Sequence, residues 1–455
     1  MNHASSVGQS TPSAASDALL GRVERGLEEG LVPAEIFGDT AIFQAELERI
    51  FARSWVFLGL ESEVPNSGDF VLRRIGKDSV IVTRDRSKTI NVLANFCRHR
   101  GSQICHVDRG NASHFSCRYH GWVYKNTGEW TGAPDRSKAY PNIDAGAWSL
   151  LKAPHVDTFL GMIFASLDPN APPLMDYLGG AAWMMKAIMD LHPDGMKVIG
   201  SPDRYRVRGN WKTAAENFAG DSYHVGVTHQ SLQSIGLVPG LDGANAFISN
   251  YIFENGHGFT GSALDQMFGE AGHLWGYDSS IREKLDLSRL DEVQKDVVLH
   301  NPPVVGNIFP NLSFIRFTVA PSPGKPPIVY TSLRQWQPIG PGEMEVWSWQ
   351  LKWDFMNEEQ VASSYAAGQY GFSSAGIFEQ DDTAVWEGSP VTAQTVWARK
   401  AGAMYNMQLG MKELGGAQKR DLAWTGPGEV YRPGPGEAPA RAFYSHWLRE
   451  MQRSR

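Results

Sequence analysis

Two short loops each place one cysteine close to one histidine. The first loop reads CRHRG and carries Cys97 and His99, and the second reads CRYHGW and carries Cys117 and His120. Each loop thus offers one thiolate and one imidazole, and seventeen residues separate His99 from Cys117. Thiolates and imidazoles are ligands for transition metals, and four of them complete a coordination set. The two loops together therefore predict a metal centre.

The mixed composition of the loops favours an iron–sulfur cluster over a zinc ion. Zinc sites with two cysteines and two histidines more often take the cysteine pair from one loop and the histidine pair from another. In a Rieske [2Fe-2S] cluster one iron binds two thiolates and the other binds two imidazoles, so two mixed loops can hold it from opposite sides. Gly101 and Gly121 follow the two ligand pairs and would let the backbone approach the sulfides. Zinc stays the alternative, and Cys105 is interpreted as a small buried hydrophobic residue.

A second group of candidate ligands lies in the stretch ENFAGDSYHVGVTH, with His224 and His229 as imidazoles. Two neutral imidazoles and one carboxylate bind Fe(II) on one face and leave positions open for O2 and a substrate. A helix here would align Asn217, Asp221 and His224, which recur at intervals of four and three. His229 would lie about 140° away, and Gly226 is the predicted break that brings it round. The alternative is that both histidines are ordinary core residues.

The carboxylate that completes this group is expected from a distant part of the chain. The segment FEQDD offers Glu379, Asp381 and Asp382 in an otherwise apolar and glycine-rich setting. Residue types alone do not choose among the three.

The elements that must position these residues divide the chain into four predicted parts. Residues 1–16 form a polar leader, and apolar residues at helical spacing predict helices in 17–54. Short β-branched and aromatic runs between turn residues predict an all-β domain over 55–170. The segment DPNAPP ends it, since its prolines interrupt strand pairing. Helices and strands over 171–455 predict an α+β domain with an antiparallel sheet.

The composition excludes several classes of function. Acidic residues number 49 and basic residues 42, with a sequence pI near 6.0, so no basic surface for nucleic acid is expected. Three cysteines are too few for a secreted disulfide framework and indicate a reducing compartment. No stretch approaches the roughly 20 apolar residues that span a bilayer. We therefore expect a cytoplasmic protein without a nucleic acid or membrane partner.

Two further features of the sequence have both a functional and a structural interpretation. The segment GHGFTG at 256–261 fits the dinucleotide pattern GxGxxG, but no helix and second strand follow it, so it is predicted to be a loop. Arg316, in SFIRFTVA, could meet a substrate carboxylate on a strand. We predict instead that its side chain points to solvent.

Taken together, these motifs resemble the large (alpha) subunits of Rieske non-haem iron aromatic-ring-hydroxylating dioxygenases of the naphthalene and biphenyl type. The resemblance covers nearly the whole chain, through ELERIFARSWVFL, the two Cys-His loops, NWK, ENFAGDSYHVGVTH, FPN and FEQDD in that order. It implies an all-β Rieske [2Fe-2S] domain and a catalytic domain of the helix-grip type. In that domain a large antiparallel sheet is flanked by helices.

The resemblance also implies a role for each site residue. Asp382 would bind the iron together with His224 and His229, and Asp381 remains the second choice. Asp221 would bridge His224 and the Rieske ligand His120 of the partner subunit, which implies a trimer. Asn217 would lie close to the iron, and the substrate pocket would be lined by Phe218, Val225, Phe372 and Phe378.

The function implied is that of a terminal oxygenase. Electrons from NADH would pass through a separate reductase and a ferredoxin to the cluster, and O2 would cis-dihydroxylate an aromatic compound during its catabolism. A small beta subunit would complete an alpha3beta3 assembly. Three alternatives stay open. The first is a Rieske monooxygenase that hydroxylates a substituted arene such as salicylate or benzoate, or that demethylates its substrate. The others are a pure electron carrier and a zinc-stabilised binding protein.

Overall fold

The N-terminal part of the chain contains the two predicted helices. The computed structural model describes residues 14–235, 247–322, 325–416 and 418–453, so most of the predicted leader lies outside the described residues. Helix α1 spans Ala14–Glu28, strand β1 spans Leu31–Pro33, and helix α2 spans Thr40–Glu46. A π-helical turn, Leu47–Phe51, prolongs α2.

The next segment folds as the predicted all-β domain. Its strands pair only antiparallel, in the sheets β5-β4-β3-β6, β7-β8-β9 and β10-β11-β2. The elements are β2 (Val56–Leu60), β3 (Asp69–Ile75), β4 (Asp78–Arg84), β5 (Ile90–Ala94), β6 (Arg109–Asn111), β7 (His114–Ser116), β8 (Val123–Lys125), β9 (Trp130–Gly132), α3 (Arg136–Ala139), β10 (His155–Phe159) and β11 (Met162–Ser166). One Cys-His loop follows β5 and the other follows β7, so two different sheets present the two loops.

The remaining chain is built on one large antiparallel sheet. Over the described residues this sheet has ten strands in the order β12-β19-β18-β17-β16-β15-β14-β22-β21, with β13 also paired to β19. Its elements are α4 (Leu174–Leu178), α5 (Gly180–Met189), β12 (Met196–Val198), β13 (Asp203–Val207), α6 (Trp211–Gly220), α7 (Val225–Thr228), α8 (Gln230–Ser234), β14 (Ile248–Ile252), β15 (Gly258–Ser262), α9 (Leu264–Phe268), α10 (Ser279–Arg282), α11 (Glu292–His300), β16 (Pro303–Ile308), β17 (Leu312–Val319), β18 (Ile328–Gly340), β19 (Glu343–Trp353), α12 (Glu358–Phe372), α13 (Ile377–Trp386), α14 (Gly388–Gln394), α15 (Val396–Ala401), β20 (Met404–Asn406), β21 (Lys419–Arg420), β22 (Glu429–Arg432) and α16 (Ala438–Gln452). Strand β20 pairs with β1 instead of joining this sheet.

Helices cover both faces of the large sheet. On one face α6, α12, α13 and α16 pack against side chains such as Ile315 and Trp336. On the other face α5 and α11 pack against the alternate side chains, such as Phe314 and Leu333. The predicted α+β class and the helix-flanked antiparallel sheet are thus confirmed. None of the described helices has the length and apolar character that crossing a bilayer requires.

Arg316 corrects one prediction, because its side chain does not reach solvent. It is 0% exposed and lies on the α5 side of β17, opposite the face that carries α6. Its guanidinium donates to the Ile188 carbonyl at 2.9 Å and to Thr331 Oγ1 at 2.8 Å, and it stacks on the Trp275 ring at 4.3 Å. The solvent prediction was wrong because this strand is covered on both faces, where alternation no longer marks an exposed side.

Four of the six residues of GHGFTG, from Gly258 onwards, lie in a strand and not in the predicted loop. Strand β15 begins at Gly258 and pairs with β14 on one side and β16 on the other. A Cβ atom at Gly258 would lie 2.6 Å from the carbonyl oxygen of Ala219. A glycine at this position therefore allows α6 to pack close to the sheet. Helix α6 leads directly into the candidate site.

The NWK segment seats α6 against the N-terminal helices. The Asn210 side chain caps α6 by accepting from the Lys212 backbone N–H at 3.0 Å. The Lys212 ammonium, which is 0% exposed, donates to Glu46 Oε1 at 2.6 Å, and the Trp211 indole donates to Glu46 Oε2 at 2.9 Å. The Lys212 ammonium can be buried here because it is paired with a carboxylate and hydrogen-bonded.

Candidate functional site

The two Cys-His loops share one local conformation. In each loop the glycine N–H donates to the carbonyl of the cysteine four residues earlier, at 2.8 Å for Gly101 to Cys97 and 2.9 Å for Gly121 to Cys117. Both glycines have left-handed backbones, with φ of 73° and 68°. That conformation turns the chain back past the cysteine, and only glycine adopts it without strain. The two loops thus form a matched pair of ligand-bearing turns.

The histidines of the two loops face each other at the surface of the domain. The ring centroids of His99 and His120 lie 4.5 Å apart, and His99 also stacks on Trp122 at 4.9 Å. His99 Nδ1 is a buried nitrogen without a hydrogen-bond partner among the described residues. An orphaned imidazole nitrogen beside a second imidazole fits a ligand atom for an iron–sulfur cluster.

The cysteines complete a donor set of two thiols and two imidazoles. Cys97 and Cys117 are both 2% exposed, and the Tyr124 hydroxyl lies 3.2 Å from Cys97 Sγ. Burial raises the pKa of the Cys97 thiol, so thiolate formation here depends on a bound cation. Cys105 stays outside the set, with its thiol directed at the Val107 carbonyl at 3.5 Å.

The helix that precedes the two site histidines ends earlier than predicted. Helix α6 stops at Gly220, Asp221 leaves helical geometry with φ −83° and ψ 87°, and a separate short helix, α7, begins at Val225. A Cβ atom on Gly220 would lie 2.3 Å from Pro439, so α16 packs tightly where α6 ends. Gly226 lies inside α7 and has open space around its Cα. The prediction of one helix broken at Gly226 was therefore wrong, and the break at 221–224 reorients the chain between the two histidines.

Three side-chain atoms converge on one point behind this break. Asp382 Oδ1 lies 3.5 Å from His224 Nε2 and 3.3 Å from His229 Nε2. This oxygen is buried and has no hydrogen bond of acceptable geometry to any described residue, although two imidazoles stand beside it. The three atoms face the space between them instead of each other. Such an arrangement of two imidazoles and one carboxylate fits Fe(II).

A carboxylate lies at the opposite nitrogen of each histidine. Asp221 Oδ2 is 3.2 Å from His224 Nδ1, and Asp381 Oδ2 is 3.2 Å from His229 Nδ1. A carboxylate there accepts the Nδ1 proton, which leaves the Nε2 lone pair directed at the metal and makes the ring a stronger ligand. Asp381 thus supports a histidine, whereas Asp382 faces the metal position.

Glu379, the third acid of FEQDD, has both oxygens occupied elsewhere. Arg334 donates to its Oε2 at 2.6 Å, and the Tyr205 hydroxyl donates to its Oε1 at 2.6 Å. Burial raises the pKa of Glu379, although the bond to Arg334 opposes this effect. The geometry therefore separates three acids that the residue types left equivalent.

The charges around the three side chains favour a bound cation. Burial lowers the pKa of His224, but the neighbouring carboxylates of Asp221 and Asp382 outweigh burial and raise that pKa to about 10. Burial raises the pKa of Asp382, yet the neighbouring His224 and His229 lower it overall. The surrounding carboxylates thus favour a positive charge between the three side chains, which a divalent ion would supply.

Asn217 lies on the last turn of α6 and supports Asp221. Its Nδ2 donates to Asp221 Oδ2 at 3.4 Å and lies 3.3 Å from His224 Nδ1. It is therefore a neighbour of the histidine and the carboxylate, and its position close to the iron stays a prediction.

Three of the four predicted pocket residues form one aromatic wall beside the histidines. Phe378 lies 4.9 Å from the His229 ring and stacks on Phe372 at 5.2 Å. Phe218 joins them through the Arg334 guanidinium, which lies 5.7 Å from the Phe218 ring and 5.5 Å from the Phe372 ring. Val225 lies half-buried on α7, between the two histidines in the chain.

Strands β17 and β18 add two residues to this wall that the sequence did not reveal. Phe317 lies 5.7 Å from Phe378, and Tyr330 stands opposite Phe317 in the strand register. The Tyr330 ring lies 6.2 Å from Phe372, and its hydroxyl is buried without a partner among the described residues. The sequence carries no signal for them, because a strand pattern does not say which face meets α13.

Comparison with known proteins relates both parts of the chain to one type of oxygenase. Residues 54–153 match the Rieske [2Fe-2S] domain, and residues 194–453 match the catalytic domain of the ring hydroxylating alpha subunit. The N,N-dimethyl phenylurea N-demethylase subunit alpha of a Sphingobium species is 43% identical, over 97% of this chain and 96% of its own. Biphenyl dioxygenase subunit alpha of Paraburkholderia xenovorans is 33% identical, over 96% and 93%.

A solved structure agrees with this relationship. Naphthalene 1,2-dioxygenase from a Rhodococcus species, bound to indole, superposes with a TM-score of 0.89 at 34% identity, covering 97% of this chain and 99% of its own. Matched domains, full-length relatives and the two donor sets agree: the chain belongs to the ring-hydroxylating alpha-subunit family, Rieske non-haem iron oxygenases that contain a [2Fe-2S] cluster and a mononuclear iron.

Proposed function

We propose that this chain is the terminal oxygenase subunit of a multicomponent system and that its two donor sets hold the family's two iron centres. The four cluster ligands would be Cys97, His99, Cys117 and His120, and the mononuclear iron ligands would be His224, His229 and Asp382. The observation that carries the proposal is the convergence of the last three on one point through an orphaned carboxylate oxygen. When bound, the cluster supplies electrons and the Fe(II) ion activates O2.

The chain's own residues orient the ligands and exclude water from the substrate. Asp221 and Asp381 hold the two imidazoles with Nε2 directed at the iron. The three phenylalanines of the aromatic wall are at most 6% exposed, and in the proposed function they would form the apolar lining for an aryl ring.

Asp221 is also placed for electron transfer between subunits. Its side chain touches His224 and is still 28% exposed, and its neighbour Tyr223 is 57% exposed. In the proposed assembly this open side of Asp221 receives His120 of the partner subunit, in a trimer. Electrons would come from NADH through a reductase and a ferredoxin, and the designation alpha of the relatives supports a small beta subunit as a further partner.

For the reaction we propose oxidative N-demethylation of an aryl compound. The relative named N,N-dimethyl phenylurea N-demethylase shares 43% of its residues with this chain, against 33% for biphenyl dioxygenase. The aromatic wall suits the aryl ring, and the unpartnered Tyr330 hydroxyl suits one polar acceptor such as a urea carbonyl. One oxygen atom of O2 enters the N–CH3 carbon, which leaves as formaldehyde. The other oxygen atom leaves as water with two electrons and two protons.

An anionic arene such as salicylate or benzoate is less well matched. Arg316 lies on the opposite face of the sheet, and the charge of Arg334 is compensated by Glu379 at 2.6 Å. Neither arginine therefore offers a free positive charge to a carboxylate at the aromatic wall.

The second candidate reaction is cis-dihydroxylation of an unsubstituted arene. It is supported by the biphenyl and benzene dioxygenase relatives at 33% and 32% identity and by the fold shared with naphthalene 1,2-dioxygenase. It consumes the same O2, two electrons and two protons, but both oxygen atoms enter the ring.

One product analysis separates the two reactions. The iron-loaded protein, reconstituted with a ferredoxin and a reductase, is supplied with 18O2 and either N,N-dimethyl-N′-phenylurea or biphenyl. Formaldehyde and the monomethyl urea in equal amounts support N-demethylation. If biphenyl gives a dihydrodiol carrying two 18O atoms and the urea gives no formaldehyde, the reaction is cis-dihydroxylation and not N-demethylation. Reduction of the cluster without any oxygenated product would leave only an electron carrier.

A further inference from the structure

A second group of two histidines and one carboxylate lies outside the iron site. Its members are Asp265, His273 and His300, and their ligand atoms lie within 4.8 Å of one another. They come from three different elements: Asp265 from α9, His273 from the turn after it, and His300 from the last position of α11. Among the described residues this is the only such group besides the iron site.

The spacing of the ligand atoms in this group is close to the spacing in an occupied zinc site. Asp265 Oδ2 lies 2.9 Å from His300 Nδ1. In a tetrahedral zinc site with bonds of about 2.1 Å, neighbouring ligand atoms stand about 3.4 Å apart. All three ligand atoms lie within 4.8 Å of one another, so a side-chain shift of at most about 1.4 Å brings any two of them to that spacing. A rotation of one imidazole ring covers that distance.

Two of the ligands lie close to a buried or a charged residue. His273 is two residues from Trp275, which is 1% exposed and donates its indole N–H to the Pro303 carbonyl at 2.5 Å. His300 directs Nε2 towards Asp296 Oδ1, 4.0 Å away, on the ring edge opposite Asp265. At 4.0 Å this pair is too far apart for a hydrogen bond, so Asp296 adds negative charge near the proposed metal position.

We propose that Asp265, His273 and His300 bind a Zn2+ ion that is distinct from the catalytic iron. Two imidazoles and a carboxylate form a known ligand set for zinc. The Asp265 and His300 side chains are 21% and 51% exposed, so a water molecule can fill the fourth position.

The ion would stabilise the long connection between strands β15 and β16. Strands β15 and β16 are neighbours in the large sheet, and residues 263–302 connect them through α9, α10 and α11. Zinc would join the start of this connection to its end. It would thereby limit the freedom of a segment that packs against one face of the sheet.

The test measures zinc and iron in the same iron-loaded, untagged protein after dialysis against Zn2+. We expect one zinc per chain in addition to an unchanged iron content, and a higher Tm with zinc than without it. His273→Gln should weaken zinc binding by at least about tenfold and abolish the Tm shift, while the Asp265–His300 contact stays available. His300→Gln is the second variant, and His114→Gln, an exposed histidine of the all-β domain, is the control that should behave as wild type.

Three results would overturn the proposal. Zinc absent from the wild type, or bound equally by the His273→Gln variant, would show that Asp265 and His300 form only an ordinary ion pair. Zinc gained with an equal loss of iron would assign it to the iron site. None of these outcomes depends on which substrate the enzyme oxidises.

Discussion

Asp381 contacts His229 on the ring edge opposite the one that faces the metal position. Its Oδ2 lies 3.2 Å from His229 Nδ1, whereas His229 Nε2 lies 3.3 Å from Asp382 Oδ1. Two adjacent aspartates thus approach the same imidazole from its two nitrogens. Because α13 begins at Ile377, both belong to one helical segment, where consecutive side chains point about 100° apart.

Asp382→Ala should remove the mononuclear iron and turnover while the cluster stays intact. The substitution deletes the one carboxylate oxygen that faces both imidazoles, and a site left with two imidazoles binds Fe(II) poorly. Iron analysis should fall from three atoms to two per chain, with the visible spectrum and the reduced EPR signal of the cluster unchanged.

Asp381→Asn is the matched variant at the neighbouring position. It keeps the three ligands and weakens only the support of His229, so we expect iron affinity to fall by about 10- to 100-fold without complete loss. If Asp382→Ala retains iron and Asp381→Asn loses it entirely, the ligand assignment is reversed.

Asp221→Asn should keep both iron centres and slow electron transfer between them. The amide still occupies the space between Asn217 and His224, but it carries no negative charge to hold the Nδ1 proton of His224. We expect oxidation of the reduced cluster, followed by stopped-flow absorbance with O2 and substrate present, to slow by at least about tenfold. Asp381→Asn, loaded with excess iron, is the control, because it touches the other histidine. Wild-type oxidation rates in Asp221→Asn would rule out the bridging role.

Most of the donor atoms followed from residue types and spacing, but their grouping did not. The Cys-x-His and Cys-x2-His loops contain all four proposed cluster ligands, so the sequence predicts that centre locally. His224 and Asp382 are 158 positions apart, so their meeting depends on how α6, α7 and α13 pack on the sheet. The end of α6 at Gly220 was missed because contact with Pro439, far along the chain, requires the glycine there. Arg316 was misplaced for a similar reason, since burial of both faces removes the alternation that marks an exposed side.

Lys212→Met should destabilise the domain strongly, because it leaves a buried carboxylate without its cation. The Lys212 and Glu46 side chains are 0% and 1% exposed, and Glu46 also accepts from the indoles of Trp211 and Trp447 at 2.9 Å. Breaking such a pair costs about 3–5 kcal/mol. The urea midpoint should fall accordingly.

Two further variants identify the cause of that loss. Adding Glu46→Gln to Lys212→Met removes the unpaired charge and keeps an acceptor for one of the two indoles, so at least about 1 kcal/mol should return. Lys295→Met disrupts an exposed pair with Glu292 and should cost less than about 0.5 kcal/mol. Equal losses in Lys212→Met and Lys295→Met would mean that burial of the Lys212–Glu46 pair is unimportant.

Tyr330→Phe should weaken binding of substrates that carry a hydrogen-bond acceptor and leave hydrocarbon substrates unaffected. The change keeps the ring beside Phe317 and Phe372 and removes only a hydroxyl that has no partner among the described residues. A net hydrogen bond of about 0.5–1.5 kcal/mol corresponds to a rise in KM of about 2- to 13-fold for an aryl urea, with kcat little changed. Since no buried partner loses its bond, the variant should fold as stably as the wild type, which calorimetry checks. A KM for the urea that stays at the wild-type value, in a stable and iron-loaded variant, would mean that the hydroxyl does not contact the substrate.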